Sequence, residues 1–163
     1  VDPFTDKVSE EIGYEIGVNH ATDRFEIAGV VSSNKNVHGD GEDSGNHSIG
    51  LFGSAKVTDD LLLSANFIHN QGNDVLPGGR YYSVMTNYVD GKFKYTVSYA
   101  NSEVKYEDGN SWGSDSFSGQ VGYAATENLF LYAEASVGDY VEDFGMTETT
   151  KGTSTAVGVI YSF

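Results

Sequence analysis

Residues 153–163 read TSTAVGVIYSF. Taken in twos, Thr155, Val157, Val159, Tyr161 and Phe163 fall on one side, and Ser154, Ala156, Gly158, Ile160 and Ser162 on the other. A period of two belongs to a strand, because successive side chains of extended backbone point to opposite faces. One face is apolar and ends in two aromatics. The other is small or polar except at Ile160. Alone, the stretch fits an edge strand as well as the closing strand of a larger sheet.

Moving outward, the same alternation recurs. Leu129, Leu131, Ala133, Ala135 and Val137 share one face, followed backwards by Phe117, Gly119, Val121 and Tyr123. Then come Phe93, Tyr95, Val97 and Tyr99; Tyr82, Val84, Thr86 and Tyr88; Leu61, Leu63, Ala65 and Phe67; and Ile49, Leu51, Gly53, Ala55 and Val57. Phe25, Ile27, Gly29 and Val31, then Ile12, Tyr14, Ile16 and Val18, complete nine candidate strands. Residues 1–9 show no period and read as a tail or loop. The rest reads as a single domain over 1–163, with 153–163 as its last strand.

Connections are expected to alternate. Short ones lie near residues 21, 59, 90 and 127; long ones cover 34–47, 70–80, 107–115 and 139–152. Asp90-Gly91 is a strong hairpin signal. Antiparallel pairing around it sets Tyr88 opposite Phe93 and Val84 opposite Val97. Around Asp59 it sets Leu51 opposite Phe67, and around Glu127 Phe117 opposite Val137. The apolar sets then join into one surface, since a slip of one residue would turn a strand's apolar set to the wrong face.

Composition narrows the class. There is no Cys, hence no disulfide framework or thiolate metal site. A net charge of −15 argues against nucleic acid, whose phosphates need Lys and Arg. No run of about twenty apolar residues reads as a membrane helix. A membrane barrel is not excluded, because its strands show lipid only every second residue.

Periodicity leaves two barrels open: a soluble lipocalin-like carrier with the apolar face inside, and a membrane barrel with it outside. The face opposite the apolar one carries Gly13, Gly17, Gly50, Gly122, Ser98 and Ser118, as a crowded interior needs. Aromatics collect at strand ends: Phe25, Tyr88, Phe93, Tyr123, Tyr161 and Phe163 at one, Tyr82, Tyr99, Phe117 and Phe67 toward the other. Such girdles mark both membrane–water boundaries. The expected fold is therefore all-β, an antiparallel transmembrane β-barrel of about 8–10 strands with short periplasmic turns and long acidic outer loops.

The segments YYSVMTNYVDGKFKYTVSYA, SFSGQVGYAATENLFLYAEASV and GVIYSF resemble the C-terminal part of Gram-negative general porins. The tyrosine-rich strand, the DG hairpin, Gly-Tyr before a turn and Leu-Tyr-Ala after it carry the resemblance. It covers roughly 80–163; earlier residues match only in pattern. It implies an outer-membrane barrel passing small hydrophilic solutes or ions by passive diffusion. It also implies lipid and lipopolysaccharide around the barrel, and an assembly machinery that reads Tyr161 and Phe163. Porins of that family have more strands and an inward constriction loop, for which no counterpart is visible here. Nine strands is odd where bacterial barrels are even. Residues 1–18 could lie aside from an eight-stranded barrel, residues 1–9 could add a tenth strand, or this stretch could belong to a larger barrel; a homo-oligomer also stays open.

The candidate lumen-lining residues are Glu11, Glu15, Glu26, Lys56, Lys92, Lys94, Gln120 and Glu134. They would either plug a narrow lumen with ion pairs or line a water path that favours cations. Asp40, Glu42, Asp43, Glu142, Asp143 and Glu148 read as acidic loop residues without a full calcium-loop spacing. His20, His38, His47 and His69 lack zinc spacing. No nucleophile motif surrounds a serine, so no enzyme activity and no cofactor or metal is expected. The alternative to a pore is a non-conducting structural or surface-recognition barrel.

Overall fold

The protein is seen as a computed structural model that describes residues 11–37, 43–72, 77–106, 108–143 and 146–162. These form β1 (Glu11–Ala21), β2 (Phe25–Val37), β3 (Asp43–Lys56), β4 (Leu61–Gln71), β5 (Gly78–Asp90), β6 (Phe93–Lys105), β7 (Ser111–Ala124), β8 (Leu129–Asp143) and β9 (Thr147–Tyr161). All nine lie in one antiparallel sheet, each strand paired with its neighbour in sequence. Among the described residues β1 and β9 make no contact, so the nine strands form an open all-β sheet, without the closure expected of a barrel.

Three of the four connections at one end share a device. Thr22, Thr58 and Thr126 open the turns, and each hydroxyl oxygen accepts from a backbone N–H two residues on: Arg24 at 3.3 Å, Asp60 at 3.3 Å and Asn128 at 3.3 Å. Local hydroxyl–backbone bonds of this kind favour turns over continued strand. The fourth turn is tighter than expected. Gly91 takes φ 58°, Gly91 and Lys92 alone form the loop, and Asp90 pairs with Phe93. Tyr88 therefore faces Tyr95 and Val84 faces Tyr99, two residues from the expected register. A shift of two keeps every side chain on its face. The pairings Leu51–Phe67 and Phe117–Val137 are as expected.

The other end differs more. β2 continues to Val37, β5 starts at Gly78, β7 at Ser111, and β8 and β9 reach Asp143 and Thr147. Much of what read as long loops is strand, largely polar on both faces, so no two-residue period marks it. Asp43, Glu142, Asp143 and Glu148 are strand residues rather than loop residues. Asp40 and Glu42 lie outside the described residues, as does the segment 1–9. The asymmetry expected in loop length is instead one of strand polarity: the apolar band sits near the short turns.

On the apolar face, Tyr88 and Tyr95 rings lie 6.3 Å apart and Phe93 and Tyr123 5.0 Å apart near the turns. Tyr82 and Tyr99 lie 6.0 Å apart toward the other end. Tyr82 and Tyr88, Phe93 and Tyr99, and Phe117 and Tyr123 are each six residues apart, about 20 Å along a strand. Between them sit Val84, Val97 and Val121. Beyond the outer aromatics this face turns polar, with Arg80–Glu103 at 2.8 Å, Lys105–Glu103 at 3.2 Å and Lys151–Asp139 at 3.7 Å.

There is no core in the usual sense. Among the described residues no hydrophobic side chain is buried, while Ile16, Val97 and Val157 are 66%, 45% and 85% exposed. In an open sheet neither face is covered, so the side chains of the apolar band stand exposed.

Candidate functional site

The site is the polar face of the sheet. Alternation puts one set of side chains there, and register lines them into rows that cross the strands. Ser54 pairs with Ser64, Ser64 with Met85, Met85 with Ser98, and Ser98, Ser118, Ser136 and Ser154 follow across β6 to β9. Ser98 and Ser118 share a hydrogen bond of 2.6 Å, and Ser136 and Ser154 one of 2.7 Å. Glu26 lies in this row between Ala21 and Ser54, and the Asn19 amide donates to it at 3.3 Å.

The next row toward the turns holds Lys56, Leu62, Asn87, Thr96, Gln120, Glu134 and Ala156. Thr96 donates to Asn87 at 2.8 Å and Gln120 to Glu134 at 3.1 Å. Between these two rows lies a trough of about 340 Å³, lined among others by Thr96, Ser118, Gln120, Glu134, Ser136 and Ser154. Its walls offer donors and acceptors but little charge, so it suits water and hydrophilic solutes.

Six of the expected lumen residues thus share one face: Glu15, Glu26, Lys56, Lys94, Gln120 and Glu134. Lys92 does not join them. It sits in the β5–β6 turn, where its ammonium donates to the Ala125 carbonyl at 3.3 Å and lies 6.0 Å from the centre of the Tyr123 ring. The two-residue turn pulls it out of β6 and onto the rim. Glu11 opens β1 opposite Asn36, and its side chain lies outside the described residues. Tyr161 stands on the apolar face opposite Leu129; Phe163 lies outside the described residues.

Among the described residues, carboxylates and ammoniums on this face do not form a ladder of ion pairs. Gln120 and Asn19, not lysines, hold Glu134 and Glu26, and the ion pairs described above lie on the opposite face. Two further carboxylates join the site. Glu142 and Glu148 face each other across β8 and β9, in one row with Glu15, Ser48, Asn70 and Trp112 at the far end from the turns. Tyr140 donates to Glu142 at 2.9 Å. Their place was hidden because the Thr-rich stretch before Gly152 reads as polar loop. The spacing of Ser114, Ser116 and Ser118 did place serines on this face, since alternate residues of a strand share a face, but not the row that crosses the strands. Among the described residues no three His, Asp or Glu side chains are grouped to hold a metal ion.

No protein family model, no curated protein and no solved structure matches this chain.

Proposed function

We propose that this sheet is wall of a porin-like β-barrel in the outer membrane of a Gram-negative bacterium, through which small hydrophilic solutes and ions diffuse passively. The observation that carries the reading is the pairing of faces. One is a band of exposed Val, Ile, Leu and aromatic side chains closed at both ends by rings; the other carries the serine, amide and carboxylate rows, with Phe52, Ile68, Met85, Phe130 and Ile160 set among them. Water would penalise the first face and lipid the second. A barrel wall between lipid and a watery lumen satisfies both. Lipopolysaccharide would meet the polar strand extensions, and the last strand, with Tyr161 and Phe163, would carry the assembly signal. A non-conducting structural barrel is the second reading.

Two measurements test this. Refolded into detergent or phospholipid, the chain is expected to show strand-dominated circular dichroism and to precipitate when the amphiphile is removed. A folded, monodisperse sample in plain buffer would overturn the membrane reading. Single-channel steps in a planar bilayer, from protein extracted from its own outer membrane, would support the pore, and a silent bilayer the structural barrel.

A further inference from the structure

We infer that the edges of β1 and β9, which no described strand pairs, are an interface for an odd number of further amphipathic strands, supplied by polypeptide outside residues 11–162. The inference rests on the membrane reading above. Inside a bilayer no water reaches the outward N–H and C=O groups of an edge strand, so an open edge in the apolar band must be paired.

Direction decides the number. In a sheet of nine antiparallel neighbours, β1 and β9 run the same way. Joining them directly makes a parallel seam. A second copy inserted in the same orientation makes two such seams, because rotation about the membrane normal preserves strand direction. Only an odd number of strands keeps every neighbour antiparallel and the total even, as bacterial barrels are.

The edges themselves are built to be paired. Soluble proteins blunt an edge with Pro, Lys, a bulge or a short strand. Here the edge strands have 11 and 15 residues, and from Gly152 to Tyr161 the β9 edge has no charge and no Pro. Tyr14, Ile16 and Val18 on β1, and Val157, Val159 and Tyr161 on β9, bring the apolar band up to both edges. Glu15, Gly17 and Asn19, and Ser154 and Ala156, bring the polar face there in phase. The partner strands must continue both faces: apolar at alternate positions outside, small or polar within.

The test uses the full chain refolded in phospholipid vesicles. Amide hydrogen exchange is expected to protect β2 to β8, while the outward amides of β1 and β9, which without their partner strands must leave the apolar band to meet water, exchange about tenfold faster or more. The chain has no native Cys, so Gly17→Cys can be combined with Ser154→Cys or Ala156→Cys; no disulfide is expected within a chain, since one needs Cα atoms about 5–6 Å apart. Protected edges with an intrachain disulfide would overturn the inference in favour of a parallel seam. Protected edges in a dimer with interchain disulfides would overturn it in favour of a second copy. Edge protection that vanishes on deleting residues 1–10 would support it, with the missing strand supplied there. Protection unchanged by that deletion, in a monomer without disulfide, would overturn it. A chain with no protected amides in any strand would remove the membrane sheet itself, and the inference with it.

Discussion

The backbone carbonyl oxygen of Asp115 on β7 lies 2.6 Å from where a Cβ on Gly138 of β8 would stand. Backbone cannot swing aside as a side chain can, so glycine is required there by close approach. Gly119, on the same hairpin, meets nothing within 4 Å. Gly138→Ala is therefore expected to destabilise the sheet by about 1–3 kcal/mol. Gly119→Ala is expected to be neutral, or to stabilise by up to about 1 kcal/mol by restricting the unfolded chain. Urea unfolding of both variants in vesicles checks this. The reverse order would mean that β7 and β8 are out of the register seen here.

Val97 and Ser98 are neighbours on β6 that face opposite sides. Val97 stands in the apolar band between Thr86 and Gly119, and Ser98 bonds to Ser118 on the polar face. In lipid, Val97→Arg is expected to cost about 2–4 kcal/mol, the range for a cation at the bilayer midplane. Tyr95→Arg, nearer the turns, is expected to cost less. Ser98→Arg loses one hydroxyl bond and crowds the polar face but keeps its charge in water, so its cost is expected to be the smallest. If Ser98→Arg proves the worst, the faces are inverted and the apolar one points inward, as in a soluble carrier.

What the sequence revealed follows from where lipid-like alternation exists. Wherever one face was continuously apolar, as in 93–99 or 129–137, strand, face and neighbour were legible, because period two has no other common cause. Where apolar residues are few on either face, as in 139–143 and 147–152, the period vanishes although the backbone is still extended. The strand propensity of Thr147, Thr149, Thr150, Thr153 and Thr155 was the remaining clue. Lys92 was misplaced because alternation cannot tell a two-residue turn from a four-residue one. The serine row depends on register across β6 to β9, which pairs residues 18 or more positions apart and leaves no local trace.

The chain's last residue invites a separate test. Under the proposed function, Phe163 and Tyr161 form a signal read during assembly, so deleting Phe163 is expected to slow outer-membrane insertion strongly in cells. It is expected to leave the stability of barrel already inserted nearly unchanged, since one aromatic of many is lost. Pulse-labelled insertion kinetics and unfolding of the inserted fraction separate the two effects. Insertion at the normal rate would leave β9 an ordinary edge strand with no part in targeting.

Ion preference tests the polar face as a water path. Glu15, Glu26, Glu134, Glu142 and Glu148 share it with Lys56 and Lys94 among the described strand residues. Glu26 and Glu134 are held by the neutral amides of Asn19 and Gln120, so no hydrogen-bonded cation neutralises them. Low-dielectric walls focus the field of such charges into the lumen. If the barrel conducts, it is expected to prefer cations, and replacing Glu15, Glu26 and Glu134 by Gln is expected to weaken that preference. The loss should be greatest in dilute salt, because the screening length shrinks from about 30 Å at 0.01 M to about 3 Å at 1 M. Reversal potentials in a salt gradient decide it. An anion preference in the unaltered protein would mean that Lys56 and Lys94, not the carboxylates, command the path. A preference untouched by the three substitutions would move its origin to Glu142 and Glu148, whose replacement by Gln is then the next measurement.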